Sequence, residues 1–394
     1  MTLLLSRREL LSRYEGWRQF AETPALEPPE RLSLKQVRAL GDQAREEYEF
    51  RRGEFHSSFL VKTPQNERLN VRLWDVADAN QQGPDRVKGA AVIDAPPGLG
   101  KSTAVNAFGR AFHLKQIARH GRDLDDGQTL HIPVCRVGFA GNMTTRALNE
   151  AILNFYNHPS ADASKSRYLR NRNLAALAAE SVMRHGTRLI IVDDVHFLKI
   201  HTDEGVAVAN ELKWLANEYP ATFLFTGVNM MGTGLLSESK QSDQMAMSQT
   251  ARRWTLLTLP PFAHPVGRDR RSWISLLGSI ESRLVLANAR PAMLRGQADY
   301  LYTRSTGMIG SLFELIIRGS ARAIRTGTEV LTRELLDDIE IDAAAESARE
   351  ITAQELDEKK RAAEKRRKAR RATPNFDEAQ DEDEVELWRD GEDE

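Results

Sequence analysis

Between residues 88 and 260, short apolar runs alternate with longer stretches in which apolar residues recur every three or four positions. Runs at residues 90–93, 131–137, 188–192, 222–226 and 254–259 are too brief for buried helices and predict β-strands. The stretches between them, such as residues 104–117, predict helices. Strand and helix in alternation imply a parallel α/β sheet, here of five strands. After Pro260, Pro261 and Pro265 the strand pattern stops. Residues 268 to about 345 then read as helices, with Trp273, Leu276, Leu277 and Ile280 at spacings of three and four.

The two ends differ from this middle. Residues 1–60 mix Arg, Glu and aromatic side chains (Tyr14, Trp17, Phe20) between Pro24, Pro28 and Pro29, which predicts short helices lying on a neighbour. Residues 345–371 read as a polar helix that ends in a basic run from Lys359 to Arg371. Pro374 stops it, and the acidic residues from Asp377 onward repel one another enough to predict disorder. The expected division is therefore an N-terminal helical extension (1–60), an α/β domain (61–262), a helical domain (263–345) and a charged tail (346–394). No repeat of solenoid length is present.

Composition narrows the class. At 394 residues, with 41% hydrophobic and 28% charged side chains, the chain can bury a core larger than one small module. A net charge of -1 does not by itself advertise a nucleic-acid partner. One cysteine, Cys135, excludes an intrachain disulfide and a multi-cysteine zinc site. Arg7 and Arg8 interrupt the apolar start, and no run has the length of a membrane span, so the expected location is cytoplasmic. His196 and His201 lack a matching ligand set and read as polar loop histidines.

The most specific motif is Ala95-Pro96-Pro97-Gly98-Leu99-Gly100-Lys101-Ser102-Thr103, placed after the first strand and before a helix. Gly98 and Gly100 allow backbone N–H groups to curl around a β-phosphate, and the helix N-terminus adds partial positive charge. Lys101 reaches the β- and γ-phosphates, and the Ser102 hydroxyl ligates Mg²⁺. The pattern G-x-x-x-x-G-K-[ST] wants Gly at position 95, where this chain has Ala; a methyl is tolerated there if φ stays negative. The expected ligand is ATP with Mg²⁺.

Leu189-Ile190-Ile191-Val192-Asp193-Asp194 is an apolar strand ending in two carboxylates. Strand ends at the carboxyl edge of such a sheet face the ligand crevice, which makes Asp193 the Mg²⁺ partner and Asp194 the group that polarises the attacking water. Asp is one methylene shorter than Glu, a retraction of about 1.5 Å. Misplacement of about 1 Å can lower a rate about 10²-fold, so a slow ATPase is expected. Thr226 ends the next strand and serves either as a γ-phosphate sensor or as a strand-end cap. Arg252 and Arg253 precede the fifth strand and read either as a transition-state guanidinium or as a solvated pair.

Together these features resemble the TniB/TnsC-like AAA+ ATPases, relatives of MuB and IstB that serve DDE transposases. The resemblance rests on "VIDAPPGLGKST" (92–103), "LIIVDDVHFL" (189–198), "NELKWLANEYPATFLFTGV" (210–228) and "STGMIGSLFELIIRGSARAIRTG" (305–327), and covers residues 40 to 345. It implies nucleotide binding by residues Pro97 to Thr103, magnesium and water at Asp193 and Asp194, sensing at Thr226, and a trans-acting finger at Arg252 or Arg253. It also implies a helical lid and a homo-oligomer, ring or filament, on double-stranded DNA. The implied partners are a DDE transposase and, in some systems, a target-selection protein. The lid segment Gly307-Met308-Ile309-Gly310 lacks the arginine that many AAA+ proteins place there.

A DNA-contacting segment is expected at Lys165, Arg167, Arg170 and Arg172, with Tyr168 among them; a solvated helix face is the plain alternative. The basic run before the acidic tail is a second candidate. Two other functions share the nucleotide motif: a helicase loader or initiator, and a nucleotide-gated signalling or defence switch that does not act on DNA.

Overall fold

Pro133 sets the start of the second strand, three residues later than the apolar run alone predicts. Its carbonyl accepts the N–H groups of Arg188 and Leu189, while its ring nitrogen has no hydrogen to donate. In the computed structural model the strands are β1 (Ala90–Asp94), β2 (Val134–Gly138), β3 (Leu189–Asp193), β4 (Thr222–Gly227) and β5 (Trp254–Thr258). All pairings are parallel, in the order β2-β3-β4-β1-β5. The five-stranded parallel sheet expected from the sequence is present. The structure describes residues 10–372 except 59, 82–87, 139–143, 162–170, 196–218, 220, 231–253 and 268.

Two compact units organise the chain: residues 1–261 with Met308–Gly310, and residues 262–307 with 311–394. In the first unit, α1 (Tyr14–Glu22), α2 (Leu34–Ala39), α3 (Asp42–Ser58) and α4 (Pro64–Asn80) precede the sheet. Next, α5 (Lys101–His120) follows β1, while α6 (Thr145–Phe155) and α7 (Asn171–Arg184) lie between β2 and β3 in the chain. β1, β3 and β4 are buried nearly throughout, which is why they read as continuous apolar runs rather than alternating ones.

Small residues decide how the layers approach. A Cβ on Gly109 of α5 would come within 2.7 Å of Ile191 on β3 and 2.8 Å of Trp17 on α1. The missing side chain lets the fully buried Trp17 reach the helix that covers the sheet. At the sheet's amino edge, the Asn80 amide closes α4 onto the strands. It donates to the Gly89 carbonyl at 2.7 Å and to Thr222 Oγ1 at 2.9 Å, and it accepts the Gly89 N–H at 2.7 Å.

The second unit is helical: α8 (Asp269–Arg283), α9 (Ala298–Ser305), α10 (Ile309–Arg325, from Ser311 onward), α11 (Arg333–Asp337) and α12 (Ala343–Ala372). Its hub is Arg304, 1% exposed, which donates to the Leu336 carbonyl at 2.7 Å, the Ile339 carbonyl at 2.5 Å and Glu346 Oε1 at 2.9 Å. Two loops close on carboxylates. Glu281 accepts the N–H groups of Ala292 and Leu294, and Glu329 accepts that of Ala287. The polar C-terminal helix runs to Ala372, two residues before Pro374. The acidic tail lies outside the described residues. No described helix is long and apolar enough to cross a membrane.

Candidate nucleotide site

The parallel register brings three carboxyl strand ends level, because Ile93 of β1 is paired with Thr226 of β4, and Val192 of β3 with Phe225. The segments that leave β1, β3 and β4 therefore meet at one edge of the sheet. The loop after β1 is tied there by Ala95, whose N–H donates to the Gly227 carbonyl at 3.3 Å. Gly98 and Gly100 take φ of +77° and +78°, the left-handed region where a side chain is strained, and a Cβ at Gly98 would meet nothing within 4 Å. Ala95 lies outside that region, so its methyl is accommodated where the motif usually has glycine.

Gly100 ends this turn as the N-cap of α5, so the helix begins at Lys101 with its N–H groups at the loop. Lys101 is 7% exposed, and its ammonium donates to the carbonyls of Ala95 at 2.6 Å and Pro96 at 3.0 Å. Burial lowers its pKa, opposed by the charges of Asp194, Asp193 and Asp94. Pro97 and Leu99 complete the loop, and Thr103 lies in the first turn of α5.

Ser102 faces the acidic strand end, its hydroxyl donating to Asp193 Oδ1 at 3.2 Å. Thr226 donates to the same oxygen and accepts the Asp194 N–H at 3.1 Å. The backbone at Asp194 is left-handed, with φ +64°. Hard oxygens from Ser102 and Asp193 beside a glycine-lined turn suit Mg²⁺ and a phosphate chain, so the residues fit the ligand pair that the motif implies.

Sequence reasoning misses Arg136. It lies on β2 and donates from Nη2 to Asp193 Oδ2 at 2.6 Å. The available signal is a charged residue inside an otherwise apolar strand, Val134-Cys135-Arg136-Val137, which a buried partner requires. Arg252 and Arg253 lie outside the described residues, as do Lys165, Arg167, Arg170, His196 and His201. Arg172 belongs to α7, with its side chain outside what is described. Among the described residues no group of His, Cys, Asp and Glu is arranged to hold a metal on its own.

Residues 85–231 match the family model of an AAA domain. A search of the curated proteins finds no match. Among solved structures the chain is similar to the Aeropyrum pernix ORC1 protein in complex with DNA, at 15% identity and TM-score 0.49 over 73% of this chain and 65% of that one. It is also similar to the Aeropyrum pernix ORC2 protein, at 14% identity and TM-score 0.47 over 76% and 72% of the two chains. Domain III of the Thermotoga maritima replication initiation protein DnaA matches at 15% identity and TM-score 0.40 over 72% and 93%. The family match and the five-stranded parallel sheet together give this chain an AAA+ P-loop fold with a helical C-terminal part.

Proposed function

We propose that the protein is a Mg²⁺-dependent ATPase that assembles on double-stranded DNA under nucleotide control and delivers that DNA to a DDE transposase. The observation that carries the nucleotide part is the convergence of Lys101, Ser102, Asp193, Asp194 and Thr226 at one sheet edge, beside a glycine turn. When ATP binds, Lys101 exchanges the Ala95 and Pro96 carbonyls for phosphate oxygens. Ser102 and Asp193 would hold Mg²⁺, whose positive charge would offset that of the phosphates. Asp194 accepts a proton from the attacking water, and Thr226 keeps both carboxylate-bearing residues in register with it. Arg252 or Arg253 would act on the site of a neighbouring copy. The DNA and transposase parts are supported by the resemblance of residues 40 to 345 to TniB/TnsC-like proteins.

The test is double-stranded DNA binding by wild type and Lys101→Ala, with and without ATP and Mg²⁺. Wild type should bind tightly only with nucleotide and form rings or filaments visible by electron microscopy, whereas Lys101→Ala should do neither. A purified wild type with no affinity for adenine nucleotides overturns the reading. Nucleotide-dependent assembly that never stimulates a DDE transposase but recruits a helicase favours the loader or initiator alternative. Nucleotide binding with no DNA affinity at all favours a signalling switch.

A further inference from the structure

Among the described residues Asp193 accepts from three donors, and they divide between its two oxygens. Oδ1 faces the hydroxyls of Ser102 and Thr226, while Oδ2 is taken by the Arg136 guanidinium at 2.6 Å. The Arg136 side chain is 15% exposed and that of Asp193 5%. A charge-assisted bond this short, away from bulk water, is screened little and fixes the carboxylate plane.

Arg136 is itself held. Its Nε donates to Asn106 Oδ1 at 3.3 Å, and Asn106 lies one helical turn after Ser102 on α5. In the β2–β3 register Arg136 stands opposite Ile191, and Gly138 stands opposite Asp193. The arginine therefore reaches two residues along its own strand to the carboxylate. Gly138 lies beside that path, where an added Cβ would come into van der Waals contact with Arg136 Nη1 at 3.5 Å.

We infer that Arg136 is a positioning residue for the metal-binding carboxylate, which clamps Asp193 Oδ2 so that Oδ1 stays turned toward Ser102, and thereby sets the affinity for the Mg²⁺ that accompanies the nucleotide. The inference rests on the nucleotide-binding reading above. Without the guanidinium, Asp193 Oδ2 loses the donor that holds the orientation of the carboxylate. Partners of this kind typically change metal affinity about 10–100-fold when removed.

The experiment measures fluorescent mant-ADP binding to the full chain, first in EDTA and then across a Mg²⁺ titration, for wild type, Arg136→Gln, Arg136→Lys and Asn106→Ala. Nucleotide affinity in EDTA should be unchanged in all four. The Mg²⁺ concentration for half-effect should rise about 10–100-fold in Arg136→Gln. Arg136→Lys, which retains a cationic donor, should recover part of that loss, and Asn106→Ala should shift the curve less far in the same direction. Arg136→Gln and wild-type Mg²⁺ curves that coincide overturn the inference. Should Arg136→Gln fail to fold, a wild-type Mg²⁺ curve for both Asn106→Ala and Arg136→Lys overturns it equally. A wild type that binds no mant-ADP under either condition instead removes the nucleotide reading beneath it.

Discussion

The backbone N–H of Asp194 donates to Thr226 Oγ1 at 3.1 Å, across from β3 to β4, at a residue whose φ is +64°. Thr226 thus stabilises an uncommon backbone geometry at the position that would handle the water, while its own hydroxyl proton goes to Asp193. One side chain sets both acidic residues.

The first prediction concerns that side chain. Thr226→Ala leaves the Asp194 N–H without its partner and frees Asp193 Oδ1 from one donor, so ATP turnover should fall about 10²-fold, the scale of a displacement of about 1 Å. Nucleotide affinity should stay near wild type, and Thr226→Ser should recover most of the rate. Equal turnover in wild type and Thr226→Ala, measured by phosphate release, would exclude Thr226 from hydrolysis.

The left-handed backbone at residue 194 gives a physical reason for Asp rather than the longer Glu at this position. Asp and Asn visit this region more readily than longer side chains do. Asp194→Glu should therefore destabilise the fold by about 1 kcal/mol in urea unfolding, whereas Asp194→Asn should fold normally and lose turnover. The wild-type rate should lie below the median enzyme turnover of about 10 per second. A faster rate contradicts the retracted carboxylate.

Strand positions and site are readable in different degrees. The apolar runs locate all five strands within a few residues; β1, β3 and β4 are buried on both faces and read as unbroken apolar runs, whereas the edge strand β5 exposes Thr255 and Thr258. The loop from Ala95 to Thr103 and the acids at 193 and 194 are equally plain, since their chemistry is local in sequence. Arg136 is not, because its partner lies 57 residues away and the pair exists only through the β2–β3 register. The role of Gly109 is hidden for the same reason: nothing in the helix sequence says that Trp17 arrives from 92 residues earlier.

That helix contact yields a stability prediction. Trp17→Ala removes a fully buried indole and should cost about 3–5 kcal/mol. Gly109→Ala puts a methyl into contacts of 2.7 and 2.8 Å, with an overpacking cost of about 1–3 kcal/mol that should exceed the helix-propensity gain of about 1 kcal/mol. Urea unfolding checks both, and a stabilised Gly109→Ala would show that α1 shifts freely to make room.

Acid sensitivity should come in part from His56. Burial first, and the Arg52 charge second, lower its imidazole pKa to about 4, and the residue is 2% exposed. Between pH 6.5 and 4 the unfolded chain takes up a proton that the folded chain refuses, so stability falls as pH drops through this window, by about 3 kcal/mol when complete. Comparing unfolding at pH 7 and pH 4.5 for wild type and His56→Leu isolates this contribution, and the variant should lose less on acidification. Parallel losses would assign the effect to other groups.

The close approach of Trp17 to Gly109 also means that the borders of the segment matching the AAA domain are not the borders of what can fold. Cutting the chain at residue 85, where the family match begins, would discard the buried indole that packs at Gly109 of α5 beside Ile191 and leave an apolar hollow there. Recombinant fragments meant to isolate the AAA domain should therefore retain the first α-helix, or be expected to clump.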